Sequence, residues 1–381
     1  MASRSKNKAL ILGMVAALAL AACGNDDEGA ATTSAAGATT IVGSGTAEAG
    51  GTDGPTPASP PATDAFPVTI THKYGAALIP EAPSRVISVG FTDQDAILAL
   101  GVTPIAIRDW YGDQPYAVWP WAVDALGDAE PTVLPADAIN FEQIASLQPD
   151  LILGVSSGMT HDEYDKLSKI APTIPQSGEF VDYGVPWQSL TQTVADALGR
   201  SAQGRQLVAD TEAVIADAAE AHPELAGTTS AVAFFYNDQP GAYSSADVRS
   251  RLMTDLGFVI PPAIDDAAGD AFYASFSAEQ IGLLDVDALV WIADVGASQD
   301  AIVNSPLRDA LQAKSQGREV FVGGELAGAM SFSSPLSIPY TLEHLVPELV
   351  AALDGDPATL VPSAAIATSA TSTPATSTTA G

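Results

Sequence analysis

Residues Ser201 to His222, SAQGRQLVADTEAVIADAAEAH, read as one long helix, and the behaviour of the chain on either side of it decides the fold. Leu207, Val208, Ile215 and Ala218 fall on one face at helical spacing, and only Gly204 interrupts the pattern. With PWQSLTQTVADALG (Pro186 to Gly199) just before it, the chain runs through a long helical stretch without a strand. Upstream, after a first strand in FPVTITHKYG, strand-like SRVISVGF, VTPIAIRD and DLILGV alternate with helix-like TDQDAILALG, YAVWPWAVDALG, NFEQIASLQ and MTHDEYDKLSKIAP. Downstream the alternation restarts. Strands in TSAVAFFYND, DALVWIAD and REVFVG are interleaved with helices in SADVRSRLMTDLGF, SAEQIGLLD, SPLRDALQAKSQG and SPLSIPYTLEHLVPELVAALDG. Such alternation lays helices over a largely parallel sheet. The expected fold is α/β: two α/β lobes with central, mostly parallel sheets, at 66–200 and 223–361, joined by a single long inter-lobe α-helix at 201–222.

The two halves repeat a detail. Glu142-Gln143-Ile144 precedes Asp150 by the spacing at which Glu279-Gln280-Ile281 precedes Asp287. Asn140 with Gln143, and Ser277 with Gln280, fit the N-cap and N3 positions of a capping box, which leaves Glu142 and Glu279 at N2 with side chains free to point outward. Carboxylates there compensate a helix dipole whatever else they do. The repetition itself argues for two similar lobes.

The ends of the chain set its location. Lys6 and Lys8 precede an apolar run from Ala9 to Ala19 that closes on Leu20-Ala21-Ala22-Cys23. The run is shorter than the roughly twenty apolar residues of a membrane span and is built like a secretory signal, here residues 1–22. Leu-Ala-Ala-Cys resembles the bacterial lipobox, which implies cleavage before Cys23, lipidation of its thiol and a place on the outer face of the cell membrane. Cys23 is the only cysteine, so an exported chain folds here without an intrachain disulfide. Residues 23–65 and 362–381 are small, polar and acidic or rich in Ser and Thr, and are expected as a linker and a tail with no core of their own. Loss of Arg4, Lys6 and Lys8 with the signal takes the 15 basic residues to 12 against 46 acidic ones, and the net charge from −31 to −34. Such a field repels phosphate backbones, so no nucleic-acid partner is expected. It repels an anionic membrane surface as well, which leaves lipid as the anchor.

VTITHKYGAALIPEAPSRVISVGFTDQDAILALGV, NFEQIASLQPDLIL, the inter-lobe helix and FSAEQIGLLDVDALVW together resemble the ferric-siderophore-binding lipoproteins of ABC importers, whose two α/β lobes share one long helix. The resemblance runs from Phe66 to Asp356. It implies a monomer that captures a ferric siderophore without cofactor or chemistry of its own and delivers it to an ABC permease dimer. It also implies small closing motions in place of wide hinge bending. In that family one glutamate on each lobe docks onto arginine pockets of the permease, and the matching positions are Glu142 and Glu279. One carboxylate per lobe on a rigid body suits a two-fold symmetric partner.

Ligands of open α/β sheets lie beyond the carboxyl ends of the strands, and two facing lobes place those ends across one cleft. The loop after VTPIAI crowds Arg108, Trp110, Tyr111, Tyr116, Trp119 and Trp121 together. Such rings suit the aromatic or alkyl arms of an iron chelate, and Arg its anionic oxygens. Each ring alone has the alternative of closing over its own core. In the second lobe Tyr236 and Tyr243 follow the strand AVAFFYND, and Arg249 and Arg251 begin a helix, where the dipole favours acids. An anionic ligand would account for those arginines, and so would salt bridges to Asp247 or Asp255. Tyr183, Trp187, Met330 and Phe332 complete the set from later loops.

GVSSG (Gly154 to Gly158) fits the G-x-S-x-G of a nucleophile elbow, so a secreted serine hydrolase built on Ser156 is the alternative of another class. Its partners do not fall into place. His72 precedes the serine, His161 lies in the next helix, His222 ends the connector, His344 sits inside a helical pattern, and no HGG-like segment comes before the motif. A strand-to-helix turn, with Thr160 or a neighbouring serine capping the next helix, accounts for the stretch. Four scattered histidines also argue against a directly held metal ion. A cobalamin or haem receptor of the same fold differs only in ligand.

Overall fold

The computed structural model describes residues 64–236, 239–293, 297–359 and 361–365; the signal, Cys23, the linker up to residue 63 and the tail beyond Ala365 lie outside the described residues. A hairpin of β1 (Val68–His72) and antiparallel β2 (Gly75–Ile79) opens the first lobe. Its sheet consists of β3 (Val86–Ser88), β4 (Ala106–Arg108), β5 (Thr132–Leu134), β6 (Leu151–Gly154) and β7 (Thr173–Pro175), in the order β5-β4-β3-β6-β7 with every pair parallel. Buried runs such as LILG make strands covered on both faces. Their side chains divide by alternation: Val86, Leu151 and Leu153 join the helices Asp93–Ala99 and Trp187–Ala197 in one core, while Ile87 and Ile152 join Phe141–Ser146 and His161–Leu167 in another.

The second lobe has β8 (Ser230–Tyr236), β9 (Gln239–Tyr243), β10 (Tyr273–Ser275), β11 (Ala288–Ile292) and β12 (Glu319–Val322), ordered β10-β9-β8-β11-β12. β8, β11 and β12 are parallel, and β9 runs antiparallel to both its neighbours. The sheets are mostly parallel, as expected. β9 and β10 are additions to the sequence reading, in short segments whose Pro240 and Gly241 disguise a strand.

The connector is the helix Ser201–Ala221, with Leu207 against the first-lobe core and Val208, Ile215 and Ala218 against the second. Gly204 does not interrupt it. A Cβ there would lie 2.3 Å from that of Ala195, so glycine lets the connector close on the helix before it. The first turn is capped from far upstream, because Asp64 accepts from the Ser201 N–H (2.9 Å) and hydroxyl. Those bonds hold the Asp64 carboxyl below its ordinary value, and they tie Asp64, near the end of the expected linker, to the connector. At the other end Ser363 donates to Glu348 through its N–H (3.1 Å) and hydroxyl (2.8 Å), which extends the second lobe past 361 into the expected tail.

Two expected helices differ in form. YAVWPWAVDALG folds as the 3₁₀ turns Pro115–Ala117 and Pro120–Ala122 and one α-turn, Val123–Leu126, because its prolines lack N–H groups and Tyr116 and Ala117 take positive φ. SAEQIGLLD makes a 3₁₀ helix, Ala278–Leu284. The repeated acids are structurally equivalent. Asp150 accepts from the N–H groups of Ser84 and Arg85 ahead of β3, and Asp287 from that of Thr229 ahead of β8. No helix among the described residues is long and apolar enough to cross a membrane.

Candidate functional site

Strand order in the first sheet reverses between β3 and β6, which leaves a crevice beyond their carboxyl ends. Phe91 and Thr92, after β3, and Ser156, after β6, stand in it. Asp93 staples the two loops: its buried carboxylate accepts from the N–H groups of Val155 (2.7 Å) and Ser156 (3.0 Å), while the Phe91 N–H donates to the Ser156 carbonyl (3.0 Å). Gly90 makes room for it, since a Cβ would fall 1.5 Å from Asp93 Oδ2. Burial pushes the Asp93 carboxyl up to about 6, against the pull of those bonds.

Opposite this crevice the second lobe presents Asp247 to Arg249, Phe272 and Ser331 to Pro335, and a cavity of about 310 Å³ lies between. Its aromatic walls are Phe91, Trp110, Tyr183 and Trp187 on the first-lobe side and Phe272 and Phe332 on the other. Phe91 stacks on Trp110 at 5.6 Å; Trp110 meets Phe332 at 5.7 Å and Tyr183 meets Phe272 at 6.1 Å across the lobes. Tyr183 and Ser333 are two of the six non-glycine residues with positive φ among those described, at 65° and 40°. The rim is thus shaped at local backbone cost. Gly158 belongs to the same arrangement, because a Cβ there would lie 2.3 Å from the Tyr183 hydroxyl.

The cavity's charges come as a pair. Asp247 caps the helix Val248–Asp255 by accepting from the Arg249 N–H at 2.9 Å, and it binds the Arg249 Nη1 through both oxygens at 3.1 and 2.9 Å. Arg249 Nε and Nη2 donate to Ser331 Oγ at 3.2 and 3.0 Å, and the guanidinium lies 4.2 Å from the centre of the Tyr243 ring. Burial pushes the Asp247 carboxyl up, and the neighbouring guanidinium pulls it down. The salt bridge weighed for Arg249 in the sequence is therefore present, and it faces the cavity.

Of the residues proposed from sequence for the ligand, Trp110, Arg249 and Phe332 line the cavity, as do Tyr183 and Trp187. The others stand outside that lining. Arg108 lies behind Phe91, 4.3 Å from its ring centre, and donates to the Ala136 carbonyl at 2.8 Å. Tyr111 packs edge-on between Trp110 and Trp119. Arg251 lies near Phe180, Met330 is in the second-lobe core, and Tyr116 and Tyr236 are exposed, Tyr236 at 72%. Trp119 and Trp121 stack on each other at 5.1 Å and form a seam between the lobes behind the cavity. A Cβ on Gly328 would come 2.7 Å from the Trp119 ring, and Trp121 meets Phe332 at 5.3 Å and Tyr340 at 5.9 Å. Asp95 completes the seam by accepting from Trp121 Nε1 (2.8 Å) and, across the lobes, from Ser334 Oγ (2.5 Å). Burial lifts its carboxyl to about 6.

Phe91, Val185, Leu190, Thr191 and Phe272 escaped the sequence reading. The carboxyl-end rule that selected the loop after β4 also selects Phe91 after β3. Phe272 precedes the unread β10 and carries no such signal. Ser156 does line the cavity, but no histidine does. His161 stacks on Tyr74 at 4.8 Å, and His72 faces the Tyr164 hydroxyl at 3.3 Å. Among the described residues no cluster of three His, Cys, Asp or Glu is placed to hold a metal ion. Glu142 and Glu279 are exposed, each at the start of the helix that follows its sheet's edge strand, β5 or β10. Asn140 Oδ1 caps the first helix, and Gln280 accepts from the Ser277 N–H in the second.

Three known proteins bear on this geometry. A periplasmic solute-binding protein of Mycobacterium smegmatis is 34% identical, with a TM-score of 0.68 over 75% of this chain and 98% of its own. Streptococcus pneumoniae PiaA, solved in complex with ferrichrome, is 27% identical, with a TM-score of 0.67 over 76% of this chain and 99% of its own. The Fe(3+)-citrate-binding protein YfmC of Bacillus subtilis is 28% identical over 251 residues, 65% of this chain and 76% of its own. The periplasmic binding protein family matches residues 87–323, from β3 to just past β12 and so through both sheets and the connector, and the chain belongs to that family.

Proposed function

We propose that the protein is the extracytoplasmic substrate-binding lipoprotein of an ABC importer, which takes a ferric siderophore into the inter-lobe cavity and delivers it to the permease. The observation that carries this reading is the cavity itself: aromatic walls from both lobes, at the switch point of a parallel sheet, in a chain whose relatives include one solved in complex with ferrichrome and one named for Fe(3+)-citrate binding. The protein binds and releases without catalysis. A lining without histidine supports that over a hydrolase built on Ser156. Lipid on Cys23 holds a monomer at the membrane, and Glu142 and Glu279 mark one docking point per lobe for the permease dimer.

Titration of the full chain in detergent, followed by tryptophan fluorescence, tests the binding. Trp110 and Trp187 face the cavity, so a ferric siderophore should quench saturably with a Kd below about 1 µM, about −8 kcal/mol or tighter. Iron-free siderophore, haem and cobalamin should bind far more weakly. Saturation by haem or cobalamin in place of every ferric siderophore would overturn the ligand. In cells, Glu142→Ala with Glu279→Ala should abolish uptake and keep affinity; a parallel loss of affinity would refute the division of roles.

A further inference from the structure

We infer that the cavity selects ferric complexes of zero net charge, the class made by trihydroxamates, and rejects polyanionic triscatecholates. The inference rests on the receptor reading above and concerns its substrate class. Only three lining residues are ionisable: Asp247, Arg249 and Tyr183. Asp247 and Arg249 are 2% and 8% exposed and neutralise each other, and Ser331 holds the remaining face of the guanidinium. Burial raises the Tyr183 hydroxyl above its ordinary value, so it is uncharged at neutral pH. The lining therefore sums to zero.

Neither of the other arginines proposed from sequence changes that balance. Arg108 is spent on the back of Phe91 and on a carbonyl, and Arg251 on Phe180 and the Ser245 carbonyl. Beyond the lining, the single guanidinium behind Phe91 is outnumbered by two carboxylates. Asp93 follows Thr92, and Asp95 holds Ser334, both fully buried carboxylates. The remaining polar lining consists of uncharged hydroxyls on Thr92, Ser156, Thr191, Ser331, Ser333 and Ser334. Thr191 Oγ1 and Trp187 Nε1, on lining residues one helical turn apart, have no hydrogen-bond partner among the described residues.

The chemistry of the cargo follows from charge balance. Three hydroxamates, each singly deprotonated, cancel the charge of ferric iron, whereas three doubly deprotonated catecholates leave a trianion. Moving that trianion out of water into a cavity whose lining carries no uncompensated cation is unfavourable, and the strongly negative chain opposes its approach. A neutral complex needs only apolar and aromatic contact and uncharged hydrogen bonds, which these walls supply.

Isothermal titration calorimetry of the full chain against ferrichrome, ferrioxamine E, ferric citrate and ferric enterobactin tests the inference directly. The two trihydroxamates should bind at least a hundredfold more tightly than ferric enterobactin, with ferric citrate also disfavoured. Equal or tighter binding of enterobactin or citrate would overturn the charge rule and leave the receptor reading standing. Silence from all four, with a native circular dichroism spectrum, would overturn both. A second arm uses Asp247→Asn, which keeps the shape and the capping oxygen and frees the charge of Arg249. Its affinity ratio should move toward the trianion by tenfold or more, and an unchanged ratio in a folded variant would refute the role given to the pair. If that variant does not fold, the wild-type series decides.

Discussion

The lobes meet in two zones that share a wall and behave oppositely. In the cavity, Phe91, Trp110 and Tyr183 line one side and Phe272 and Phe332 the other, and the two sides touch only at their edges, Trp110 on Phe332 and Tyr183 on Phe272. In the seam behind it, Trp119 and Trp121 pack against a glycine of one second-lobe helix and Tyr340 of the next. Phe332 belongs to both, since it lines the cavity and packs against Trp119 and Trp121. One loop of the first lobe therefore supplies a face for ligand and a lock between lobes. What separates the two uses is the partner surface, because Gly328 lets the Trp119 ring lie directly against the helix backbone, whereas Trp110 meets only the Phe332 ring and leaves its other side to the cavity. A connector helix and the seam tie the lobes together at two places.

Breaking the seam should cost most. Trp119 is 4% exposed and rests on Trp121, and its loss leaves a void between lobes that neither can collapse to fill. Trp119→Ala is expected to lower unfolding stability by about 3–5 kcal/mol in urea denaturation. A loss under about 1 kcal/mol would mean that the seam does not hold the lobes. Breaking the cavity wall should cost affinity instead. Trp110→Ala removes the ring that stacks on Phe91 and reaches Phe332, and is expected to weaken ligand binding by about 2 kcal/mol, about thirtyfold, with little change in stability. If the two variants exchanged their effects, the division between the zones would be reversed.

The sequence carried the frame of this arrangement but not that division. The connector, the alternation on either side and the repeated Glu-Gln-Ile units are periodic, local signals, and periodicity survives without knowledge of tertiary contacts. The aromatic crowd from Trp110 to Trp121 was legible as a cluster for the same reason. Which rings face ligand depends on the approach of Gly328, Phe332 and Tyr340, all more than two hundred residues away along the chain. The arginines teach a similar lesson. Arg249 at a helix start called for an anion, and that anion is Asp247, two residues before it and already facing the cavity. Phe272 lies beside a three-residue strand, too short for alternation to show.

The seam also contains a buried carboxylate that touches both lobes, and pH reads it out. Asp95 has its carboxyl lifted from 3.8 to about 6 by burial, against hydrogen bonds from Ser334 and Trp121. A carboxyl with a raised folded-state pKa favours the folded state when protonated, so its contribution is complete below the unfolded value and is lost as pH rises through about 6. Between about pH 7.5 and about pH 5 the folded protein should gain about 1.4 kcal/mol from this group alone. Asp93 acts in the same direction, while burial lowers the His72 pKa and works against both, so the wild-type profile is a mixture. Subtraction isolates the term, because Asp93 and His72 remain in Asp95→Asn. The stability of wild type relative to that variant should rise by about 1.4 kcal/mol on acidification over the same interval. Ser334→Ala sharpens the comparison, because losing the cross-lobe donor should lift the Asp95 carboxyl further and steepen the slope. Parallel pH profiles for wild type and Asp95→Asn would show that water reaches this carboxylate, and with it that the seam is open.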